Sequence, residues 1–286
     1  MKHNFLSPAK LNLCLEIINK RKDGFHNIQS IVTAISLFDN ITFHKNSELR
    51  FDSNVPDLKD NNSILETVKL IRTRYHIQTG LSIKLDKKIP LSSGLGGGSS
   101  NAAITLIALN EIWDLQLSIN KLEELASMIG SDVPFFIRGG LSLIKGKGDI
   151  VKPINYQHPM WFVLIFSEYS LLNKTSRMYQ ILRECNFGNG TETQTLLRDI
   201  NSNRCILDFR LFNTFNDISE KLFPNISKLI QKIEDTMELK FILSGSGPTL
   251  FCKMMTEVQA RHVCSYLEEN MNLQAIVVRS IRGIMK

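Results

Sequence analysis

Apolar and polar residues alternate over short runs in the first part of the chain, and this period of two is typical of β-strands with one buried face. The runs are 11–18, 28–37, 41–44 and 81–85. Asp23-Gly24 and Asp39-Asn40 separate the first three runs and favour turns. The pattern predicts antiparallel hairpins at the start of the chain.

Helical spacing, with apolar residues three or four positions apart, replaces the alternation in several segments. The predicted helices are 64–75, one with apolar residues at 102, 106, 109 and 113, one from the N-cap candidate Ser118 to Gly130, and 257–270. Polar stretches through Gln180 and over 218–237 are compatible with helix. Further strands are predicted at 141–144, 150–154, 160–166, 239–243, 249–253 and 274–280. The mixture indicates the α+β class.

Length and composition are those of a globular protein. The chain has 286 residues, 43% hydrophobic and 22% charged, which suits two moderate domains, predicted at 1–155 and 156–286. The strongly apolar run 161–166 is too short to cross a bilayer. Pro8, Lys10 and Asn12 interrupt the apolar residues that a secretory signal would need. We therefore expect a cytoplasmic protein without a membrane partner.

The net charge and the spacing of cysteines and histidines limit the classes of ligand that the chain could bind. The net charge of +6 is spread without a dense basic block, so it favours anionic ligands mildly and predicts no nucleic-acid partner. Five cysteines include no C-x-x-C pair, and the histidines show no spacing typical of metal ligands. No metal-binding residue is predicted.

The strongest chemical signal is a glycine- and serine-rich segment that runs directly into a predicted helix. Glycines accept positive φ angles and let a backbone approach a ligand closely, and the free N–H groups at a helix start attract phosphate. The serine hydroxyls could cap the helix or contact phosphate and Mg²⁺. The predicted phosphate-binding residues are Pro90, Leu91, Ser92, Ser93, Gly94, Leu95, Gly96, Gly97, Gly98, Ser99 and Ser100.

Three other segments are ambiguous when each is considered alone. Lys10 follows a proline inside a predicted strand, where it could point inward or be an ordinary surface lysine. Asp132 follows a helix and could be a general base or a simple turn residue. The segment 244–249 could offer backbone N–H groups to a ligand or be only a tight hairpin.

Considered together, these segments resemble the three hallmark motifs of the GHMP kinase superfamily, at 7–13, 90–103 and 243–251. Within it, the chain is most similar to the branch that phosphorylates a cytidine diphosphate-linked methylerythritol. The residues that carry this resemblance are Pro-Ala-Lys-Leu-Asn-Leu at 8–13, Lys-Asp-Gly-Phe-His at 22–26, Gly-Leu-Gly-Gly-Gly-Ser-Ser-Asn-Ala-Ala at 94–103 and Gly-Ser-Asp-Val-Pro-Phe-Phe at 130–136.

The resemblance implies a fold and a reaction. The expected fold has a ribosomal-S5-like N-terminal half and a ferredoxin-like C-terminal half, with the active site in the cleft between them. The expected reaction transfers phosphate from ATP, accompanied by Mg²⁺, to the 2-hydroxyl of the methylerythritol, in the non-mevalonate (MEP) route to isoprenoids. A monomer or weak homodimer is expected.

The resemblance also implies roles for individual residues. Asp132 would accept the proton of the hydroxyl, and Lys10 would stabilise that carboxylate and the transferred phosphoryl group. Phe25 stands where tyrosine is usual, so it would stack on the cytosine without a phenolic hydrogen bond. The predicted substrate-binding residues are Asn12, Phe25, His26, Thr175 and Tyr179, with Gly245, Ser246 and Gly247 supporting the loop.

Two alternatives stay open at this point. One is another kinase of the superfamily, acting on homoserine or mevalonate, against which Phe25, His26 and Asp132 argue. The other is a catalytically silent nucleotide-binding protein on the same scaffold, against which the presence of both Lys10 and Asp132 argues.

Overall fold

Two long neighbouring strands organise the larger of two sheets. The computed structural model describes residues 2–59, 62–166, 173–202 and 209–283. Strand β1 (Lys2–Lys20) pairs antiparallel with β2 (His26–Asn46) along almost its whole length. Gly24 lies between them at a φ of 86°, a conformation that glycine accepts readily, so the predicted turn at Asp23-Gly24 is confirmed.

The turn predicted at Asp39-Asn40 is wrong, because β2 continues through both residues. The carboxylate of Asp39 is bound by distant donors instead of forming a local turn. It accepts hydrogen bonds from the backbone N–H groups of Lys88 and Ile89, both at 2.8 Å, and from Nζ of Lys87 at 2.6 Å. The two strands predicted on either side of Asp39 are therefore one strand.

The larger sheet is completed by four short strands from the first half and one from the second. These are β3 (Arg50–Ser53), β4 (Gly80–Asp86), β5 (Leu141–Gly146), β6 (Ile150–Pro153) and β8 (Phe212–Asn213). The order is β3-β4-β2-β1-β8, and β5 pairs with both β2 and β6. Since β8 pairs parallel with β1, the second half of the chain completes a sheet built by the first.

The first half has four helices among the described residues: α1 (Ser63–Tyr75), α2 (Gly97–Ile112), α3 (Ile119–Ile129) and α4 (Val133–Arg138). Helices α2 and α4 contact the larger sheet, and α1 and α3 pack on α2. The hydroxyl of Ser118 accepts a hydrogen bond from the N–H of Lys121 and Gly130 ends the helix, so both predicted bounds of α3 are confirmed. Helix α4 was not predicted. Its first five residues, 133–137, are all buried, and a short apolar run does not distinguish helix from strand.

The second sheet has four antiparallel strands in the order β11-β7-β10-β9. Its strands are β7 (Trp161–Ile165), β9 (Ile242–Leu243), β10 (Leu250–Met254) and β11 (Ala275–Arg279). The helices of this half are α5 (Lys174–Gln180), α6 (Thr191–Asn201), α7 (Ile226–Met237) and α8 (Glu257–Met271). Short 3₁₀ helices are Pro56–Leu58, Glu184–Asn186 and Asn216–Lys221.

The two halves are joined through the outer edge of β1. Glu16 is 1% exposed, and its carboxylate accepts hydrogen bonds from the N–H groups of Gly190 and Thr193 at 3.1 and 2.7 Å. These donors belong to the start of α6, a helix that the sequence pattern did not predict. Within the described ranges, no helix combines the length and apolar character needed to cross a bilayer.

Candidate active site

A cavity of about 690 Å³ is lined by residues from both halves. The first half contributes β1, the glycine-rich segment, the start of α2 and Asp132, and the second half contributes the start of α5 and the loop after β9. Another cavity, of about 820 Å³, is larger. Among the described residues, none of the candidates named above lines that larger cavity, so the smaller one is the candidate active site.

The glycine-rich segment forms a loop at 90–96, called the phosphate loop below, before α2 begins at Gly97. Ser92, Gly94 and Gly96 have left-handed φ angles of 51°, 86° and 71°. Gly96 is the N-cap of α2 and has no side chain to cap it, so the expectation that a serine hydroxyl caps this helix is wrong. The first N–H groups of a helix have no acceptor within it, and here they belong to residues that line the cavity.

Not every residue predicted in this segment faces the cavity. Leu95 is fully buried in the core. Ser100 is also fully buried, and its hydroxyl lies 2.8 Å from that of Ser7, so it contacts the protein interior where a phosphate contact was expected. The residues of the segment that line the cavity are Pro90, Leu91, Ser92, Ser93, Gly94, Gly96, Gly97, Gly98 and Ser99.

Close packing against the loop 244–249, called the hairpin loop below, holds the phosphate loop in place. A Cβ atom on Gly94 would lie 2.2 Å from the carbonyl oxygen of Ser244, so this position requires glycine. The hydroxyl of Ser244 donates to the carbonyl of Gly94 at 3.2 Å, and the N–H of Thr249 donates to the carbonyl of Ser93 at 3.2 Å. The predicted hairpin at 244–249 is confirmed, since β9 and β10 pair antiparallel around it.

Lys10 lies on β1 and is 6% exposed, which excludes the alternative of a surface lysine. Its ammonium group donates a hydrogen bond to the side-chain oxygen of Asn12, whose amide donates to Ser30 at 2.9 Å. Burial lowers the pKa of Lys10, and the negative charge of Asp132 opposes that shift. The two predicted catalytic residues therefore interact electrostatically across one cavity.

Asp132 is exposed and occupies the N-cap position of α4. It lines the same cavity as the phosphate loop residues. Among the described residues, no ion pair within 4.0 Å joins Asp132 to Lys10. The carboxylate is therefore accessible to a ligand that enters the cavity.

Helix α5 brings the two predicted residues of the second half to the cavity. The hydroxyl of Thr175 lies 3.0 Å from that of Ser246 in the hairpin loop. The ring of Tyr179 packs on His26, with centroids 5.0 Å apart, and on Phe215, at 5.1 Å. Burial and the charge of Asp132 raise the pKa of Tyr179, so its phenol stays neutral.

Phe25, in the turn between β1 and β2, and His26, the first residue of β2, are not among the described residues that line the cavity. His26 is 9% exposed, and burial lowers its pKa, with the charge of Lys20 adding to the effect. Phe25 is 52% exposed, and Nζ of Lys147 lies 5.4 Å from its ring centroid. Within the described structure, Tyr179 lines the cavity and His26 reaches it only by packing on that ring.

Two lysines of the cavity were missed in the sequence. Lys87 pairs with Asp39, and Lys174 begins α5; both are buried and line the cavity. Burial lowers the pKa of Lys87, although Asp39 opposes the shift. Neither lysine carries a local signal of its role, because Asp39 lies 48 positions from Lys87, and Ser92 and Gly247 lie 82 and 73 positions from Lys174.

Comparison with known proteins supports the arrangement. The family "GHMP kinases N terminal domain" matches residues 62–140. A 4-diphosphocytidyl-2-C-methyl-D-erythritol kinase of Dehalococcoides mccartyi is 36% identical over 86% of this chain and 87% of its own length. The chain belongs to this kinase family. A kinase of the same name from Shouchella clausii is 34% identical over 88% of this chain and 85% of its own length.

Solved structures agree with membership of this family. The crystal structure of a 4-(cytidine 5′-diphospho)-2C-methyl-D-erythritol kinase matches with a TM-score of 0.81 and 26% identity, covering 98% of this chain and all of that one. A homoserine kinase from Cytophaga hutchinsonii matches with a TM-score of 0.75 at 15% identity, which shows the shared fold alone. The predicted two-domain α+β GHMP kinase fold is confirmed. As a kinase of this family, the protein uses ATP.

Proposed function

We propose that this protein transfers the γ-phosphoryl group of ATP to the 2-hydroxyl of 4-(cytidine 5′-diphospho)-2-C-methyl-D-erythritol, a step of the MEP route to isoprenoid precursors. One observation carries the proposal. A single cavity is lined by the phosphate loop, Lys10, Asp132 and Tyr179, so a phosphate donor and a cytidine-bearing acceptor can meet there. The substrate named for the relatives agrees with this arrangement.

The ATP phosphates are assigned to the phosphate loop and the first turn of α2. The backbone N–H groups of Gly97, Gly98 and Ser99 lie at the start of a 16-residue helix, where N–H groups and the helix dipole favour anions. Mg²⁺, bound to the phosphate oxygens, would neutralise their charge. Asp132 is the carboxylate residue on the cavity wall within the described chain, so the phosphates themselves would supply most of the ligands.

Asp132 is assigned as the general base and Lys10 as its electrostatic partner. An exposed carboxylate on the cavity wall can reach an incoming hydroxyl, and a base must be within hydrogen-bond reach of the proton that it accepts. The neighbouring ammonium of Lys10 stabilises the ionised carboxylate and the transferred phosphoryl group. Positioning of the two reactants contributes the rest of the rate enhancement.

The cytidine end is assigned to the side of the cavity formed by α5. Tyr179 and Thr175 lie one turn apart on this helix and share a face. His26 packs on Tyr179, and Asn12 lies beside Lys10. Phe25 is half exposed beside His26, with Nζ of Lys147 5.4 Å from its ring centroid, so the exposed part of its ring is assigned to stacking on the base. Gly245, Ser246 and Gly247 support the phosphate loop from the second half.

The domain division at 155/156 is also retained. Its support is that β6 ends at residue 153 in the larger sheet, whereas β7 begins at residue 161 in the smaller one. The connection between them contains no strand or helix in the described structure. Among the described strands, only the short β8 passes from the second half into the larger sheet, and Ser280 adds an isolated bridge to Ile35 of β2.

Phosphorus NMR tests the reaction and the acceptor together. The purified protein is incubated with ATP, Mg²⁺ and the cytidine diphosphate alcohol, and we expect ADP and one new phosphomonoester resonance in equal amounts. Parallel reactions contain homoserine or mevalonate in place of the cytidine compound. Phosphorylation of either of these, with the cytidine compound left unchanged, would refute the assigned substrate.

A further inference from the structure

Lys174 is a buried lysine in an unfavourable position. It is the first residue of α5 and is 5% exposed. Lysine is rarely buried without a partner, and a positive charge at a helix N-terminus is opposed by the helix dipole. Both preferences disfavour a lysine at this position, so we expect its ammonium group to make a contact there that offsets them.

Its ammonium group connects two loops that are distant in the sequence. Nζ of Lys174 donates a hydrogen bond to the carbonyl oxygen of Ser92 in the phosphate loop at 2.7 Å. The same nitrogen donates to the carbonyl oxygen of Gly247 in the hairpin loop. The neighbouring Thr175 also bonds the hairpin loop through Ser246. The start of α5 thus holds both loops in one arrangement.

No carboxylate neutralises this ammonium group among the described residues. Its acceptors are two carbonyl oxygens, which carry partial charges only. Burial lowers the pKa of Lys174, and the positive charge of Lys10, which lines the same cavity, lowers it further by repulsion. The charged forms of Lys10 and Lys174 disfavour each other, and an anion bound in the cavity would stabilise both of them.

We propose that Lys174 is a positioning residue, whose ammonium group links the phosphate loop to the hairpin loop and is held in its charged form by a polyphosphate bound in the cavity. This inference rests on the assignment of the phosphate loop made above. The ligand is a nucleoside polyphosphate. Both ATP and the cytidine diphosphate acceptor carry such a group.

Protonation makes the link responsive to the ligand. In the free protein, burial and Lys10 lower the pKa of Lys174 to about 7, so at pH 8 about nine-tenths of these side chains are neutral. A bound polyanion raises this pKa, and the protein takes up a proton as the ligand binds. The other titratable groups around the cavity are Lys10, Lys87, Asp132, Tyr179 and, behind Tyr179, His26.

Calorimetry in buffers of different ionisation enthalpy measures this proton uptake. ATP and cytidine 5′-diphosphate are each titrated into the protein at pH 8, where terminal phosphates, with a pKa near 6, are already deprotonated. We expect uptake of between about half a proton and one proton per site for the responsible ligand. Comparison of the two ligands identifies which polyphosphate stabilises the charge.

Two variants assign the uptake to Lys174. Lys174→Met keeps an unbranched apolar side chain, one atom shorter, and removes the ammonium group. We expect it to lose the uptake and about tenfold in affinity for the same ligand at pH 7. Lys228→Met is the matched control, since Lys228 is exposed near the start of α7 and lies outside the cavity lining. The control keeps both the uptake and the affinity.

The outcomes are distinct. Normal ligand binding without proton uptake, or the same uptake in Lys174→Met, overturns the role of Lys174 and leaves the proposed function intact. Failure of the unaltered protein to bind either polyphosphate overturns both. If Lys174→Met does not fold, Lys174→Arg replaces it. Arginine stays charged at pH 8, so binding must then proceed without uptake.

Discussion

Nζ of Lys87 lies 2.6 Å from Oδ2 of Asp39, and the two side chains are 4% and 0% exposed. The pair stands against the start of α2, because a Cβ atom on Gly97 would come within 2.9 Å of the same Nζ. Lys87 also donates to the carbonyl of Ile89 at 2.6 Å. This buried ion pair therefore fixes the backbone that enters the proposed phosphate site.

Replacing one member of that pair should be costly. Asp39→Ala leaves the buried ammonium group of Lys87 without its anionic partner and two backbone N–H groups without their acceptor. We expect a loss of about 3–5 kcal/mol in the free energy of unfolding. Denaturant titration measures the change. Glu48→Ala is the control, since the Glu48–Arg50 pair is 68% exposed on both sides and should contribute no more than about 1 kcal/mol. Equal losses in the two variants would contradict the structural role of Asp39.

Asp132→Asn tests the general base. The amide keeps the size of the side chain but does not accept a proton, so we expect turnover to fall by about 10² or more. The dissociation constant for ATP should stay nearly unchanged, because the proposed phosphate contacts lie elsewhere. Asp235→Asn, at an exposed position on α7, serves as the control. Turnover in Asp132→Asn equal to that of the control would remove Asp132 from this role.

Gly94 and Gly24 form a matched pair, because both have a φ of 86°. A Cβ atom on Gly24 would have no neighbour within 4 Å, whereas one on Gly94 would collide with the carbonyl of Ser244. We expect Gly24→Ala to cost about 1–2 kcal/mol through backbone strain alone. Gly94→Ala should cost about 1–3 kcal/mol more, since the two loops must also separate. Thermal unfolding of both variants provides the comparison, and equal costs would mean that the loops are not tightly packed.

Tyr179→Leu tests the cytidine side of the cavity. The change removes ring contacts with His26 and Phe215, and aromatic contacts contribute about 0.5–1.5 kcal/mol each. We expect KM for the cytidine alcohol to rise about three- to tenfold, with KM for ATP unchanged. Tyr266→Leu, on the exposed side of α8, should change neither value. A rise in KM for ATP instead would place the nucleotide donor against α5.

The glycine-rich loop could be predicted from the sequence because its signal is local. Closely spaced glycines before a helical pattern restrict the backbone to few arrangements, and the structure has a tight loop that begins α2 at Gly97. The turn at Asp23-Gly24 and the bounds of α3 were predicted for the same reason. Each depends on residues within a few positions of one another.

Asp39 and Lys174 could not be predicted in this way. An aspartate followed by an asparagine favours a turn locally, but the donors that bind Asp39 lie 48 to 50 positions away. Lys174 stands in a polar stretch that gives no reason to expect burial. It is buried by loops 82 and 73 positions away. Such residues become recognisable only when the fold has brought these segments together.

The dependence of β1 on the second half has a consequence for synthesis. Its outer edge is bonded by Gly188 and Thr214, whose N–H groups donate to the carbonyls of Ile17 and Leu15 at 2.8 and 2.9 Å. Translation proceeds at about 5–20 residues per second, so this edge waits roughly 10 to 35 s on the ribosome before its partners emerge. During that interval the strand edge is unpaired and can pair with other chains. Glu16, which is buried in the folded protein, is still exposed at this stage. Nascent chains of this protein should therefore need shielding until α6 has emerged.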